Sequence, residues 1–144
     1  MNKYLVLIIL GVLIVGGGVI YRSFFLAEES KPVDTGTVRE ITVTAKKDNW
    51  AFAPEVVEVN RGDRIVMTVV NEDSYDHGIS IDYFGVAQRI PANGTIKIEF
   101  TVTQAGDFPF YCSVPCGEGI VDGKKRTHFD MIGVLRARNI VNTE

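Results

Sequence analysis

The residues of this chain that can bind a soft metal ion are few, and most lie close together near the C-terminal end. The 144 residues contain two cysteines, two histidines and three methionines, one of which is the initiator. Five of these form the candidate donor set: His77, Cys112, Cys116, His128 and Met131. Two thiolates, two imidazoles and a thioether are a soft, mixed set that suits copper. Zinc has no use for the thioether, and iron–sulfur clusters generally need more cysteines.

Simpler interpretations of the same residues stay open at this point. Cys112 and Cys116 could form a disulfide in an oxidising compartment, and a lone His77 would more often be a strand-end histidine than a ligand. Trp50 is expected in the core or at its rim, in preference to a role in electron transfer. The run Lys124–Arg126 is most simply a solvated loop tip, with a docking patch as the sharper alternative.

The charge distribution argues against nucleic acid as a partner. The net charge is −3 and the pI is near 5.4. Residues 1–22 contain Lys3, Arg22 and no acid, so the remainder carries 13 basic against 18 acidic side chains. The main part of the protein is therefore mildly acidic, which does not suit a polyanion.

The residues that must position the donor set read as an all-β domain. Short alternating runs recur roughly every 10–15 residues, separated by turn residues, and no useful helical periodicity follows the first segment. The runs predicted as strands are 41–45, 56–59, 64–70, 79–81, 96–102, 108–111 and 131–135. This pattern is typical of a Greek-key β-sandwich.

The first segment has the features of a membrane anchor. Tyr4 to Tyr21 is a run of 18 uncharged residues bracketed by Lys3 and Arg22. At about 1.5 Å per residue a helix of this length approaches the ~30 Å hydrocarbon core. A cleaved signal peptide is the alternative, although Phe24 and Phe25 crowd the position where a peptidase needs small side chains.

The sequence thus predicts three segments. Residues 1–25 form an N-terminal transmembrane anchor, residues 26–38 a polar linker, and residues 39–144 an extracytoplasmic domain. One basic residue at each end of the anchor leaves its orientation undecided by charge.

The donor set resembles that of subunit II of the cytochrome c oxidases, which carry a binuclear CuA copper centre on a cupredoxin fold. That family's loop reads Cys-x3-Cys-x3-His-x2-Met, with the first histidine upstream. The resemblance covers about residues 39–138 and includes Trp50-Ala-Phe-Ala-Pro54, Asp76-His77-Gly78 and Pro91-Ala-Asn-Gly94. It implies bridging thiolates from Cys112 and Cys116, terminal imidazoles from His77 and His128, an axial thioether from Met131, and the backbone carbonyl of Val114.

The chain departs from the family pattern at one place. Eleven residues separate Cys116 from His128, where the family has three. Removing Ile120 to Thr127 restores the family spacing, so we interpret these eight residues as an insertion in the ligand loop. Loop insertions cost little closure entropy, and metal binding can survive them. Asp76 and Asp130 are candidates for orienting the ligating imidazoles.

The resemblance implies a function and partners. The chain would receive electrons at a two-copper CuA centre from cytochrome c or another soluble donor and pass them to subunit I of a haem–copper oxidase. It would be a single-pass protein of the cell membrane and would not be catalytic alone. Two alternatives are a stand-alone cupredoxin with one copper held by His77, one cysteine, His128 and Met131, acting as a carrier or copper chaperone, and a metal-free module with a disulfide.

Overall fold

The computed structural model describes residues 2–24 and 36–139. For residues 7, 8 and 18–24 it describes the backbone alone. The chain divides into two compact units, residues 1–31 and 32–144. In the first unit a single helix, α1, extends over Lys3–Phe24. Most of the predicted linker, residues 26–35, lies outside the described residues.

The predicted transmembrane anchor is not confirmed. Within the part of the chain that the structure describes, no helix combines the length and the apolar character needed to cross a membrane.

The second unit is built almost entirely from β-strands. Its described residues contain β1 (Val38–Ala45), β2 (Phe52–Ala53), β3 (Val56–Asn60), β4 (Arg64–Asn71), β5 (His77–Ile81), β6 (Val86–Ile90), β7 (Thr95–Thr101), β8 (Gly106–Tyr111), β9 (Glu118–Val121), β10 (Lys124–Thr127) and β11 (Ile132–Arg138). Two short 3₁₀ turns, Asp82–Phe84 and His128–Asp130, complete it.

Two larger sheets form the sandwich of the domain, and β9 with β10 forms a third, two-stranded sheet. One of the larger sheets has the order β2-β1-β4-β7 and the other β3-β11-β8-β5-β6. Their facing side chains belong to one buried cluster, and the rings of Phe52 and Phe110 join the two sheets with centroids 5.6 Å apart. The predicted all-β sandwich is confirmed.

Alternation of side chains explains how the strands build this core. In β4, Ile65, Met67 and Val69 are fully buried, and the residues between them are only partly covered. Successive side chains of a strand point to opposite faces, so such a pattern buries one face against the other sheet. All seven runs predicted as strands overlap observed strands.

Four strands were not predicted. β2 is two residues long, and β6 has three exposed residues between two buried ones, so neither shows regular alternation. β9 and β10 fall in and beside the predicted insertion and pair antiparallel as a hairpin. Asp122 and Gly123 form its turn with φ of 49° and 75°, as a tight two-residue hairpin turn requires.

The pairing of β8 with β11 closes the loop that carries most candidate ligands. Ile132 lies opposite Tyr111 in this antiparallel pair. Just beyond it, the backbone N–H of Cys112 donates to the carbonyl of Met131 at 3.0 Å. The loop from Cys112 to Met131 therefore begins and ends at one point of a central strand pair.

We predict that this pair tolerates no added bulk at Gly133. Gly133 lies opposite the fully buried Phe110, and a Cβ there would come within 2.1 Å of the Phe110 ring. Gly133→Ala should lower the free energy of unfolding by about 1–3 kcal/mol, as overpacking in a core typically does. Chemical denaturation measures the change.

The matched control is Ala87→Val, which adds bulk at an exposed position of the edge strand β6. It should change the free energy of unfolding by no more than about 0.5 kcal/mol. Equal stability of Gly133→Ala and the wild type would contradict the packing described here.

Candidate metal centre

Three of the predicted ligands form a buried cluster. The Nδ1 or Nε2 atom of His77 and the Sγ atoms of Cys112 and Cys116 all lie within 4.8 Å of one another. The two sulfurs are 3.6 Å apart, and Cys112 Sγ is 3.8 Å from His77 Nδ1. A disulfide does not join the cysteines, because both are free thiols.

Two further predicted donors lie beside this cluster, each next to a different thiol. The carbonyl oxygen of Val114 lies 3.2 Å from Cys112 Sγ. The thioether sulfur of Met131, which is fully buried, lies 3.7 Å from Cys116 Sγ. Each thiol therefore has its own outer neighbours: His77 and Val114 for Cys112, and Met131 for Cys116.

Adjacent strands bring these donors together. His77 is the first residue of β5, Cys112 follows the last residue of β8, and Met131 precedes β11. These three strands are neighbours in one sheet, so the donors meet at one edge of the sandwich. Gly78 permits the close approach of the loop, since a Cβ there would lie 2.5 Å from Ser113 Oγ and 2.9 Å from the Val114 nitrogen.

The environment shifts the pKa values of the two thiols in opposite directions. Burial raises the pKa of Cys112, but hydrogen bonding between Cys112 and His77 and the bond from the N–H of Gly78 outweigh it, and the net pKa lies below that of an ordinary thiol. Burial raises the pKa of Cys116, and the neighbouring Cys112 raises it further. Cys112 is therefore the sulfur that gives up its proton first, and the thiolate is the form that binds metals.

The Nε2 atom of His77 is hydrogen-bonded to a carboxylate that was not predicted from the sequence. Asp73 Oδ2 lies 2.7 Å from His77 Nε2, and both side chains are buried. Burial lowers the pKa of the imidazole, but hydrogen bonding to Cys112 and Asp73 and their charges raise it more, so it lies above the usual value. Asp73 lies in the loop that leads to His77 at the start of β5. In a loop a spacing of four residues does not indicate that two side chains meet.

The two aspartates singled out from the sequence make other contacts. Asp76 accepts hydrogen bonds from Arg89 and from the N–H of Ala92, which lower the pKa of its carboxyl group. Asp130 accepts from the N–H of Thr127 in a capping box that fixes the 3₁₀ turn beginning at His128. Asp130 thus shapes the backbone around His128, whereas Asp76 ties β5 to the chain after β6.

His128 is the predicted ligand that the structure does not bring into the cluster. The group of mutually close donor atoms among the described residues contains His77, Cys112 and Cys116. The half-buried ring of His128 packs instead on Phe129, with ring centroids 3.8 Å apart. A ligand role for His128 stays a prediction.

Aromatic side chains cover one side of the centre. The indole N–H of Trp50 donates to the Cys116 carbonyl at 3.3 Å. The Tyr75 ring lies between Trp50 and His77, with centroid distances of 6.3 and 5.2 Å. Gly119 of β9 lies directly against the Trp50 ring, where a Cβ would come within 2.3 Å of it. The base of the hairpin therefore packs on the wall of the donor cluster.

The described donors fit a soft metal ion such as copper. Two sulfurs 3.6 Å apart can bind the same ion, because their separation is less than twice a metal–sulfur bond of about 2.3 Å. Imidazole, thiolate and thioether are donors that copper accepts, and the surrounding burial excludes water. The arrangement can therefore hold a redox-active ion in a dry, preformed site.

Comparisons with known proteins agree with this fold. A model of the cupredoxin-like domain matches residues 18–121. Reduced auracyanin from Roseiflexus castenholzii is similar with a TM-score of 0.55 and 19% identity, over 71% of this chain and 98% of its own. Auracyanin A, a blue copper protein from Chloroflexus aurantiacus, has a TM-score of 0.55 and 16% identity, over 70% and 99%.

One similar structure also covers most of the chain. A chain of a heme-copper terminal oxidase dimer has a TM-score of 0.56 and 16% identity, over 94% of this chain and 97% of its own. At these identities the similarity concerns the fold. The family match, in contrast, spans more than half of the sequence and ends within β9. On that match, the chain belongs to the cupredoxin-like domain family.

Proposed function

We propose that this protein is an electron-transfer subunit with a binuclear copper centre of the CuA type. The observation that carries the proposal is the pair of free, buried thiols with sulfurs 3.6 Å apart. A second support is the arrangement of outer donors, in which His77 and Val114 lie beside Cys112 and Met131 lies beside Cys116. A mononuclear site would need only one of the two thiolates.

The residues divide the work of such a centre between them. Cys112 and Cys116 would both bind the two copper ions. His77 and the Val114 carbonyl would be the further ligands of one copper, and Met131 and His128 those of the other. Copper bound there would accept and release one electron at a time. The chain itself keeps the donors fixed, because His77 begins β5, Cys112 directly follows the neighbouring strand β8, and Met131 is hydrogen-bonded to Cys112.

The partners follow from this role. We infer that a soluble donor such as cytochrome c delivers electrons and that the catalytic subunit of a haem–copper oxidase receives them. The acidic balance of residues 23–144 supports a basic donor. The similarity to a chain of a heme-copper terminal oxidase over 94% of the sequence supports the same assignment.

A stand-alone cupredoxin with one copper is the second candidate function. The similarity of the fold to auracyanin A, a blue copper protein, favours it. So does the position of His128 outside the cluster, because the described cluster then offers a second copper no imidazole. The two candidates differ in whether Cys116 is a ligand.

We predict that Cys116→Ser abolishes the binuclear centre. A serine hydroxyl is a poor ligand for copper, so the variant should bind no more than one copper per chain, against two in the wild type. Metal analysis and EPR of the copper-loaded full chain measure this change. Ser113→Ala, in the same loop, is the control and should bind as the wild type does. A wild-type spectrum from Cys116→Ser would exclude Cys116 as a ligand.

We predict that His128 becomes a ligand when copper is bound. His128→Ala should lower the copper affinity at least about 10-fold, since even residues that only support a ligand have effects of that size. Competition with a chelator measures the affinity. Phe129→Ala removes the ring that packs on His128 and serves as the control. Equal affinities of the two variants would show that His128 does not bind the metal.

We propose that the domain lies on the outer face of the cell membrane, attached through residues 1–25. The support is the run of 18 uncharged residues from Tyr4 to Tyr21. The full chain should sediment with membranes and resist alkaline extraction, whereas a chain lacking residues 1–25 should be released. Recovery of the full chain in the unsedimented fraction would contradict the attachment.

A further inference from the structure

We propose that Asp73 is a positioning residue of the copper centre, whose buried carboxylate orients the His77 imidazole and places a fixed negative charge beside the metal. The proposal rests on the copper-binding function proposed above. It concerns a residue four positions before the ligand, in the loop between β4 and β5.

The contact between Asp73 and His77 is short and buried. Asp73 Oδ2 and His77 Nε2 are 2.7 Å apart, and the two side chains are 1% and 0% exposed. The second carboxylate oxygen, Oδ1, accepts the backbone N–H of Asp48 at 2.7 Å. Both oxygens are therefore engaged, and the carboxylate plane cannot turn away from the imidazole without losing a hydrogen bond.

The backbone of the loop holds Asp73 in place as well. The N–H of Asp73 donates to Asn71 Oδ1 at 2.9 Å, and its carbonyl accepts from the N–H of Asn93 at 2.7 Å. The side-chain amide of Asn71, also buried, donates to the carbonyls of Tyr75 and Pro91 at 2.8 and 3.0 Å. This network fixes the carboxylate before any metal binds.

The direction of the hydrogen bond determines which imidazole nitrogen is free. A carboxylate only accepts, so the proton of the neutral imidazole must lie on Nε2. Nδ1 then keeps its lone pair, and it is the nitrogen that faces Cys112 Sγ at 3.8 Å. Asp73 thus selects the tautomer that presents Nδ1 to the centre and makes that nitrogen a stronger donor.

In the described part of the chain, no lysine or arginine forms an ion pair with Asp73. Among the described residues its one ion-pair partner is His77, and the lysine and arginine ion pairs of this region, Lys46–Glu72 and Arg89–Asp76, involve other acids. The groups around it include the Tyr75 side chain and the backbone of Asp48. A buried anion here favours the more positive, oxidised state of a bound copper ion and so lowers its reduction potential.

The variant Asp73→Asn removes the negative charge of this side chain and keeps its shape. The asparagine carbonyl can still accept the Nε2 proton, so the imidazole keeps a partner, while the charge and the hydrogen bond from the Asp48 N–H are lost. In the copper-loaded full chain we expect a higher reduction potential and a copper affinity about 10–100-fold lower than in the wild type. Asp76→Asn is the matched control: it is adjacent to His77 but faces Arg89, and both values should stay as in the wild type.

The outcomes distinguish this inference from the proposed function. If the wild type binds no copper, the proposed function fails. If the wild type binds copper and Asp73→Asn has the same potential and affinity, Asp73 does not position the centre and the proposed function stands. Should Asp73→Asn not fold, NMR of His77 in the wild-type Cu(I) form decides: a proton on Nε2 supports the inference, and a proton on Nδ1 overturns it.

Discussion

The hydrogen bond from the Cys112 N–H to the Met131 carbonyl is the constraint on which the whole centre depends. It continues the antiparallel pairing of β8 with β11 by one step beyond Tyr111 and Ile132. These two hydrogen-bonded residues are themselves predicted ligands, and the other predicted ligands after His77 lie between them in the chain. Because the loop is closed by a central strand pair, its two ends cannot separate unless the sheet opens, and Cys116 and Met131 stay 3.7 Å apart across it.

This closure explains why eight extra residues do not disperse the site. The insertion forms its own hairpin, β9 and β10, whose backbone groups pair with each other. Its base packs on Trp50 through Gly119, while Cys112, Cys116 and Met131 remain in contact at the closed end of the loop. His128 is the exception: it directly follows the hairpin, precedes the closing hydrogen bond, and lies outside the group of mutually close donor atoms among the described residues.

The sequence was sufficient for the sandwich and for most of the cluster, because both depend on short-range patterns. Alternation located seven strands, and residue type with spacing singled out His77, Cys112, Cys116 and Met131, whereas Val114 followed only from the resemblance to a known family. β6 was not predicted because its exposed edge residues do not alternate, and β9 and β10 were not predicted although Asp122-Gly123 between them is a recognisable hairpin signal. The sequence does not show which of Asp73 and Asp76 contacts the imidazole, since only the tertiary fold places the first carboxylate at His77 and the second at Arg89.

The EPR spectrum of the copper-loaded full chain, taken together with a copper count, tests most directly whether both thiols serve one two-copper centre. We expect two coppers per chain and one unpaired electron shared equally between two copper nuclei, visible in the hyperfine pattern. One copper per chain, with the electron localised on a single nucleus and an intense blue absorption, would contradict this expectation.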